Sequence, residues 1–331
     1  MGKRCDTVVT CQKLTDIEAL ATEWEVLASV SPHHFFLSWS WIFTWLSSYQ
    51  PDVDVLRVHR GQELIGIALL VKTRKKRHGV LGSNVLMVHQ TGDSAEDQIW
   101  TEYNGFLIKK STEKEAYEAS MDFLVHQFPG WDEIVIGAVS DSVARFLQHE
   151  NSLYRHELWE APTYGINLLE LRENNKTYLS TLSRNTRYQI RRSSKRYASR
   201  GDVVIQQAST VLEALQFFSE IAPLHIARWG AGEGESGFVN PAFLKFHNAL
   251  IQNCWSKGHI DLCRLVVADQ AIAYFYNFTY NERVYFYLSG LVSENDSALK
   301  PGLLGHSLCI QRYIDKGMNY YDFMGGEARY K

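Results

Sequence analysis

The pattern of elements along this chain predicts a mixed α/β protein of two lobes, each a mixed sheet flanked by helices. Three observations carry that prediction. Helices, then antiparallel strands, then alternating helix and strand run through residues 1–160. A similar order recurs over residues 161–331 with no residue-level repeat, so the two lobes share element order alone. The chain then closes on a strand, a glycine-bearing helix start, a helix and a second strand.

In the first lobe, Ile17, Leu20, Trp24 and Leu27 recur at helical spacing and predict a helix over 16–28. Residues 39–49 read as a second, strongly aromatic helix. Residues 53–58 and 64–72 alternate as strands around Arg60-Gly61 and predict a hairpin. Strands are expected at 80–88, 103–108 and 134–138, and helices at 112–128 and 140–150. Lys72 to His78 is a basic run between strands and reads as an exposed turn. The tryptophans Trp24, Trp39, Trp41, Trp45, Trp100 and Trp131 read as core packing ahead of sugar stacking. Residues 97–104, with Trp100, Glu102 and Tyr103, form the segment of this lobe best suited to face a substrate.

The second lobe opens with a strand at 164–171, a long helical region at 174–199 and a strand at 203–207. Helices at 211–229 and 241–257 follow, then a three-stranded meander over 260–268, 271–280 and 283–291. After a polar loop, Lys300-Pro301-Gly302-Leu303-Leu304-Gly305 opens an apolar-periodic helix, and Tyr320 to Met324 is the closing strand. Proline suits the first helical turn because it has no N–H to leave unpaired. The N–H groups of Gly302 to Gly305 are then expected to face outward at the positive end of the helix dipole, where a pyrophosphate fits. An ordinary βαβ unit, with glycines that only ease a turn, is the competing reading.

Composition sets limits. At 45% hydrophobic and 21% charged residues the chain is globular, and no window approaches a transmembrane span. The start, MGKRCDTVVTCQKL, lacks an apolar stretch of signal-peptide length, so a cytoplasmic location is expected. Cys5, Cys11, Cys254, Cys263 and Cys309 form no CxxC and no zinc spacing, so reduced thiols and no metal are expected. A net charge of −3 argues against DNA as a partner.

Four segments in order resemble one family. They are Leu182 to Arg192; Leu224 to Trp229 running on to Phe246-His247; Pro301 to Leu304; and Asp322-Phe323 followed by Gly326-Glu327 and Tyr330-Lys331. Together they are similar to the GNAT-like acetyltransferases linked to bacterial cellulose and exopolysaccharide biosynthesis, themselves similar to Fem-type peptidyltransferases. The resemblance covers residues 165–331 well and the first half loosely, through Phe35 to Trp41 and Trp45. It implies tandem GNAT-like lobes and an N-acyltransferase. An acyl group, acetyl above all, would pass from acyl-CoA to an amine on a sugar, amino acid or envelope precursor. Lys300 to Gly305 is a degenerate form of the GNAT pyrophosphate signature, so an aminoacyl-tRNA donor and a catalytically silent scaffold stand as alternatives.

Acyl transfer needs a positioned thioester, a base for the amine and a donor for the oxyanion. Under the resemblance Tyr287, Leu288, Gly302, Leu303, Leu304 and Gly305 hold the acyl donor. Glu327 is expected as the base, Asp322 as its positioning carboxylate and His225 as the reserve base. His306 reads as a packing residue. Arg184, Arg187 and Arg191 fall near one helical stripe, and arginine suits phosphate; these, with Arg228, Trp229 and Lys331, are the expected substrate contacts. For the arginine stripe the plain alternative is a solvated face, and for Arg228 a helix-surface pairing.

Overall fold

A computed structural model describes residues 7–147, 153–232 and 234–326. The chain divides into two compact units between Leu158 and Trp159. The first contains β1 (Thr7–Lys13), α1 (Ile17–Ala28), α2 (Trp39–Tyr49), β2 (Val53–Arg60), β3 (Glu63–Arg77), β4 (Leu81–Val88), β5 (Leu107–Ile108), α3 (Glu113–His126), β6 (Glu133–Val135) and α4 (Asp141–Phe146). Its sheet order is β1-β2-β3-β4-β6, antiparallel except for the parallel pair β4 and β6, with β5 also on β3.

The helix starts are set locally. Asp16 caps α1 through the N–H groups of Glu18 and Ala19, and Ser38 caps α2 through that of Trp41. Trp24, Trp41 and Trp45 are buried, and the indole N–H of Trp24 donates to the Leu37 carbonyl at 2.9 Å. These three indoles therefore lie in the core, whereas Phe43 of α2 is exposed.

The basic run is not a turn. Lys72 to Arg77 continues β3, paired with β4 from Leu81 to Leu86, and the turn lies at 78–80. Pleating sends alternate side chains to opposite faces. Lys72 lies 4.0 Å over the Phe128 ring, while Arg77 grips both Glu133 oxygens, at 3.0 and 2.5 Å. Of the strand expected over 103–108, Leu107–Ile108 pairs with β3 and Asn104 makes a single parallel bridge to Val139.

The second unit contains β7 (Thr163–Asn167), α5 (Leu168–Glu173), α6 (Tyr178–Thr181), α7 (Arg184–Ala198), β8 (Val203–Gln207), α8 (Val211–Trp229), α9 (Pro241–Cys254), β9 (Ile260–Val267), β10 (Gln270–Tyr280), β11 (Arg283–Leu291), α10 (Pro301–Asp315) and β12 (Tyr320–Gly325). The sheet order is β7-β12-β11-β10-β9-β8, and β11 with β12 is its parallel pair. Two expected elements divide. The strand at 164–171 stops at Asn167, whose side chain caps α5, and the region 174–199 splits at Ser183, which caps α7. One face of the sheet packs under α10 around Phe275, Phe286, Ile310 and Tyr313. On the other face, α8 crosses β11 so closely that a Cβ on Gly290 would lie 3.1 Å from Ile221 Cα.

Candidate active site

The pairing of β11 with β12 covers only Arg283 to Tyr285 against Tyr320 to Asp322. Beyond that point β11 runs on to Leu291 and β12 to Gly325 with no pairing between them among the described residues. Each strand carries an irregularity where the two part. On β11, Tyr276 pairs with Leu288 but Asn277 with Phe286, so Tyr287 bulges. On β12, Asp322 pairs with Gly165 but Met324 with Tyr164, so Phe323 is the extra residue. Bulges bend a strand and re-aim its side chains. The sheet thus opens a gap edged by backbone groups of β11 and β12.

Asp322 holds this opening. Its Oδ2 accepts from Arg283 Nη2 at 2.9 Å and Nε at 3.1 Å, and its Oδ1 accepts the Met324 N–H at 2.8 Å. That last bond fixes Met324 at φ 60°, a left-handed conformation that a methionine rarely adopts. The carboxylate is buried and committed to the strand geometry. The basic residue that pairs with it is Arg283.

At the start of α10, Lys300 provides no side-chain cap and Pro301 has no N–H. The Leu304 N–H is already bonded to Lys300 O at 3.0 Å. Only Gly302 and Leu303 present first-turn N–H groups with no acceptor among the described residues, which narrows the expected run of four. Gly305 is buried with its Cα against Phe275, where a Cβ would meet the ring at 2.2 Å; it serves close packing of α10 on β10. Gly302 instead faces Leu291 at the end of β11, with a would-be Cβ 3.0 Å from Leu291 Cδ1. Leu304 is buried, and Leu303 packs partly buried on the same core.

Helix α7 braces this start. Ile190, Ser193 and Tyr197 are its buried face, and Ser193 Oγ accepts the Lys300 N–H at 2.9 Å. Arg200 and Tyr197 both bond Glu294 at 3.0 Å, and Arg196 lies 3.7 Å from Asp296, in the loop leading into α10. Arg184, Arg187 and Arg191 fall away from that buried face. Arg184 and Arg191 are exposed, and Arg187 donates to Ser180 O at 3.3 Å. The three do not converge on the start of α10, because helical geometry sends them to another flank.

His225 is buried on α8 with Nδ1 2.8 Å from Ser236 Oγ. Burial, aided by the Arg228 charge, pushes its pKa down to about 4, so it is neutral at pH 7. Arg228 sits over the Trp229 ring at 5.1 Å, and Trp229 is half exposed. His306 packs among Phe275, Phe286 and Phe323 with Nδ1 3.1 Å from the Tyr321 hydroxyl, and burial lowers its pKa to about 3. It is a core histidine. Leu288 is buried beside the bulge. Glu327 and Lys331 lie outside the described residues.

No chemical role for His247 is expected from the sequence. It is fully buried on α9, with Nε2 2.9 Å from the Tyr287 hydroxyl and Nδ1 3.4 Å from that of Tyr276. Its signal is a single histidine in the apolar stripe of Phe243, Phe246 and Leu250.

Residues 184–331 match the acetyltransferase (GNAT) domain. The match begins at α7 and runs through the separated strands and α10. No curated protein sequence matches the chain. Among solved structures, FemX covers 97% of this chain and 89% of its own, at 12% identity and a TM-score of 0.59. L-PGS from Bacillus licheniformis covers 96% and 81%, at 10% identity and a TM-score of 0.54. A conserved protein of unknown function from Bacteroides thetaiotaomicron covers 96% and 90%, at 11% identity and a TM-score of 0.52. At these identities the likeness is one of fold. No helix among the described residues is long and apolar enough to cross a membrane.

Proposed function

We propose that the chain is an N-acyltransferase that carries an acyl group, acetyl above all, from acyl-CoA to an amine. The acceptor class is a sugar, an amino acid or an envelope or exopolysaccharide precursor. One observation carries the reading: β11 and β12 part after Tyr285 and Asp322, and the helix between them opens with uncapped N–H groups at Gly302 and Leu303. A thioester arm laid in the gap meets strand backbone in place of a missing neighbour strand. Its pyrophosphate meets two N–H donors at the positive helix end. Transfer follows from placing thioester and amine together, with a base to take the ammonium proton. Glu327, which follows Gly325-Gly326, is the proposed base. His225 is less suited, because a group with a pKa near 4 is a weak acceptor at neutral pH. Asp322 acts through the strand geometry. Calorimetric titration with coenzyme A tests the reading, and no binding at millimolar concentration would overturn it.

A second reading rests on α7. Arg184, Arg191, Arg192 and Lys195 are exposed and have no acidic partner among the described residues. Such a face suits a long polyanion, and the Fem-type alternative supplies one as aminoacyl-tRNA. Competition between tRNA and coenzyme A for the protein separates the two: tRNA binding that salt abolishes, without coenzyme A binding, favours the Fem-type donor.

A further inference from the structure

A short ribbon leaves the sheet of the first unit. β3 pairs with β2 as far as Val71 and with β4 as far as Arg77, while β4 pairs with β6 only over Val85 to Met87. Among the described residues, 75–77 and 81–83 thus pair as strands with one another alone. The ribbon turns tightly: the Val80 N–H donates to Arg77 O at 3.2 Å, with His78 and Gly79 at φ 50° and 76°. Positive φ at both central residues matches the twist of the flanking strands, so backbone geometry sets the apex.

The apex is apolar and the arms are not. Val80 is 83% exposed and Leu81 63%. The arms carry Arg74, Lys75, Lys76, Ser83 and Asn84. Charge on a projecting ribbon has an ordinary use, because it keeps free strand edges from pairing with another chain. That use does not explain two large aliphatic side chains at the apex, where turns are normally polar. Of the cations on the ribbon, only Arg77 has an ion-pair partner among the described residues. Its bonds to Glu133, with that of Ser83 Oγ, hold the Glu133 pKa down at about 2, so the pair stays charged and self-neutralised. Lys75 exerts only a longer-range pull on Asp97. Arg74 and Lys76 share one face of the ribbon and are exposed. Gly82 lets the Arg74 guanidinium lie across the ribbon toward the apex, since a Cβ there would meet Nε at 2.8 Å.

We infer that this hairpin is a peripheral anchor for an anionic lipid bilayer. Val80 and Leu81 enter the acyl boundary, and Arg74, Lys75 and Lys76 meet the lipid phosphates behind them. The whole chain carries a charge of −3, so a surface of the same sign attracts it only through a local patch such as this one. A nucleic acid would meet the cations and leave Val80 and Leu81 in water. A protein partner would need an apolar hollow with an acidic rim to receive a convex apex. A bilayer presents phosphates above an apolar layer, in the same order as arms and apex, and needs no preformed hollow.

The test uses the whole chain with vesicles of phosphatidylcholine, alone or mixed with phosphatidylglycerol. Sedimentation should carry the wild type down with the mixed vesicles alone, and added salt should release it. Lys76→Gln should weaken binding about fivefold, the usual worth of one cation at an anionic surface. Val80→Ser with Leu81→Ser should weaken it about tenfold or more. Val80→Trp should bind at least as well, and brominated acyl chains should quench its added emission. All three variants should keep the wild-type Tm, because the sites are exposed. Equal binding to both vesicle types, binding to neither, or binding to mixed vesicles that survives both the Lys76 and the double serine variants would overturn the inference. In place of vesicle binding, tRNA binding lost in Lys76→Gln, or a dimer broken by the double serine variant, would overturn it in favour of a nucleic acid or a second copy. The inference stands apart from the acyl-CoA reading, so coenzyme A titration decides one and vesicle binding the other.

Discussion

Gly302 and Gly305 stand one turn-fragment apart on α10, yet their replacement should give opposite results. A Cβ at Gly302 would lie 3.0 Å from Leu291 Cδ1, the far end of a flexible, half-buried side chain. Leu291 can turn away at about 0.5–1.5 kcal/mol. Relief of glycine's helix penalty offsets this by roughly 0.3–1 kcal/mol. Gly302→Val should thus keep stability within about 1 kcal/mol of the wild type. A Cβ at Gly305 would lie 2.2 Å from Phe275 Cζ and 2.5 Å from Cε2, in a fully packed layer. Overpacking of that kind costs about 1–3 kcal/mol, or on the order of 2–12 °C in Tm. Binding should order the two the other way. If a pyrophosphate accepts from the first-turn N–H groups, a β-branched side chain at 302 crowds the approach. Loss of one charged hydrogen bond, about 1.5–3 kcal/mol, weakens coenzyme A by roughly 10- to 100-fold. Gly305→Ala, measured below its Tm, should bind near the wild-type level. Differential scanning calorimetry and isothermal titration read both quantities. A Gly302→Val protein that binds coenzyme A like the wild type would remove the pyrophosphate from this helix start. An undisturbed Tm in Gly305→Ala would refute the packing role.

Glu327→Gln should cut kcat by about a hundredfold or more with the fold intact, the usual size of a general-base contribution, and the low-pH limb of the rate profile should vanish. Full activity in Glu327→Gln, with loss in His225→Gln, would move the role to the histidine. Arg187→Ala and Arg191→Ala should each raise KM with little change in Tm if α7 contacts an anionic substrate, and the wild-type KM should rise with salt because screening weakens exposed charge contacts. Unchanged kinetics across low and moderate salt would make α7 a solvated face. Stability should fall as pH drops from about 6.5 toward 4, read as a lower urea midpoint at pH 5 than at 7.5. Burial lowers the pKa of His89 and His225 to about 4 and of His306 to about 3, so the unfolded chain binds more protons in that window. Each histidine contributes roughly 2 kcal/mol of loss at pH 5, and a flat midpoint would show that they are not buried as neutral rings.

Local chemistry is legible where a residue acts on its own neighbours. Asp16, Ser38, Thr210 and Asn240 cap helices that the spacing of apolar residues also marks, and Pro301 opens α10. Legibility ends where a residue's meaning depends on its neighbours across the sheet. Lys72 to Arg77 resembles a turn because charge suggests exposure, but its partner strand and the Phe128 and Glu133 contacts are distant in sequence. The bulge at Tyr287 is a mismatch of registers between β10 and β11, which neither strand states alone. His247 gains its partners from that same register, since it sets Tyr276 and Tyr287 on one face. The carboxylate of Asp322 finds Arg283 across the parallel pair, whereas the nearest basic residues in sequence are Lys316 and Arg329.

From β1 in the first unit and β8 in the second, the two units share an order of strand, helix, short 3-10 turn, helix, three antiparallel strands, helix, and a strand parallel to the last of the three, with β5 inserted before α3 in the first and β7 and α5 to α7 preceding β8 in the second. Pairing of β4 with β6 covers Val85 to Met87, as that of β11 with β12 covers Arg283 to Tyr285. Past these short parallel pairs the two units diverge. In the first unit β4 ends one residue later, the chain departs at His89, and β5 returns on the same edge of β3 at Gly66 and Ile67. His89 therefore corresponds in register to the bulged Tyr287, but it is buried, with Nδ1 3.0 Å from Asn104 Oδ1 and Nε2 accepting the Leu69 N–H at 3.0 Å. The next long helix, α3, opens with Glu113 and Glu115 in its first turn, where α10 has Pro301, Gly302 and Leu303. Carboxylates there satisfy the positive helix end themselves and repel a phosphate. An anionic donor is thus disfavoured at the first unit's helix start and favoured at the second's. The excursion from His89 to Phe106 instead sets Trp100 and Tyr103 in left-handed conformations, at φ 44° and 50°. Two bulky residues held that way carry strain that packing must over-determine, so the first unit has spent its version of the gap on shaping a loop, while the second has kept the gap open.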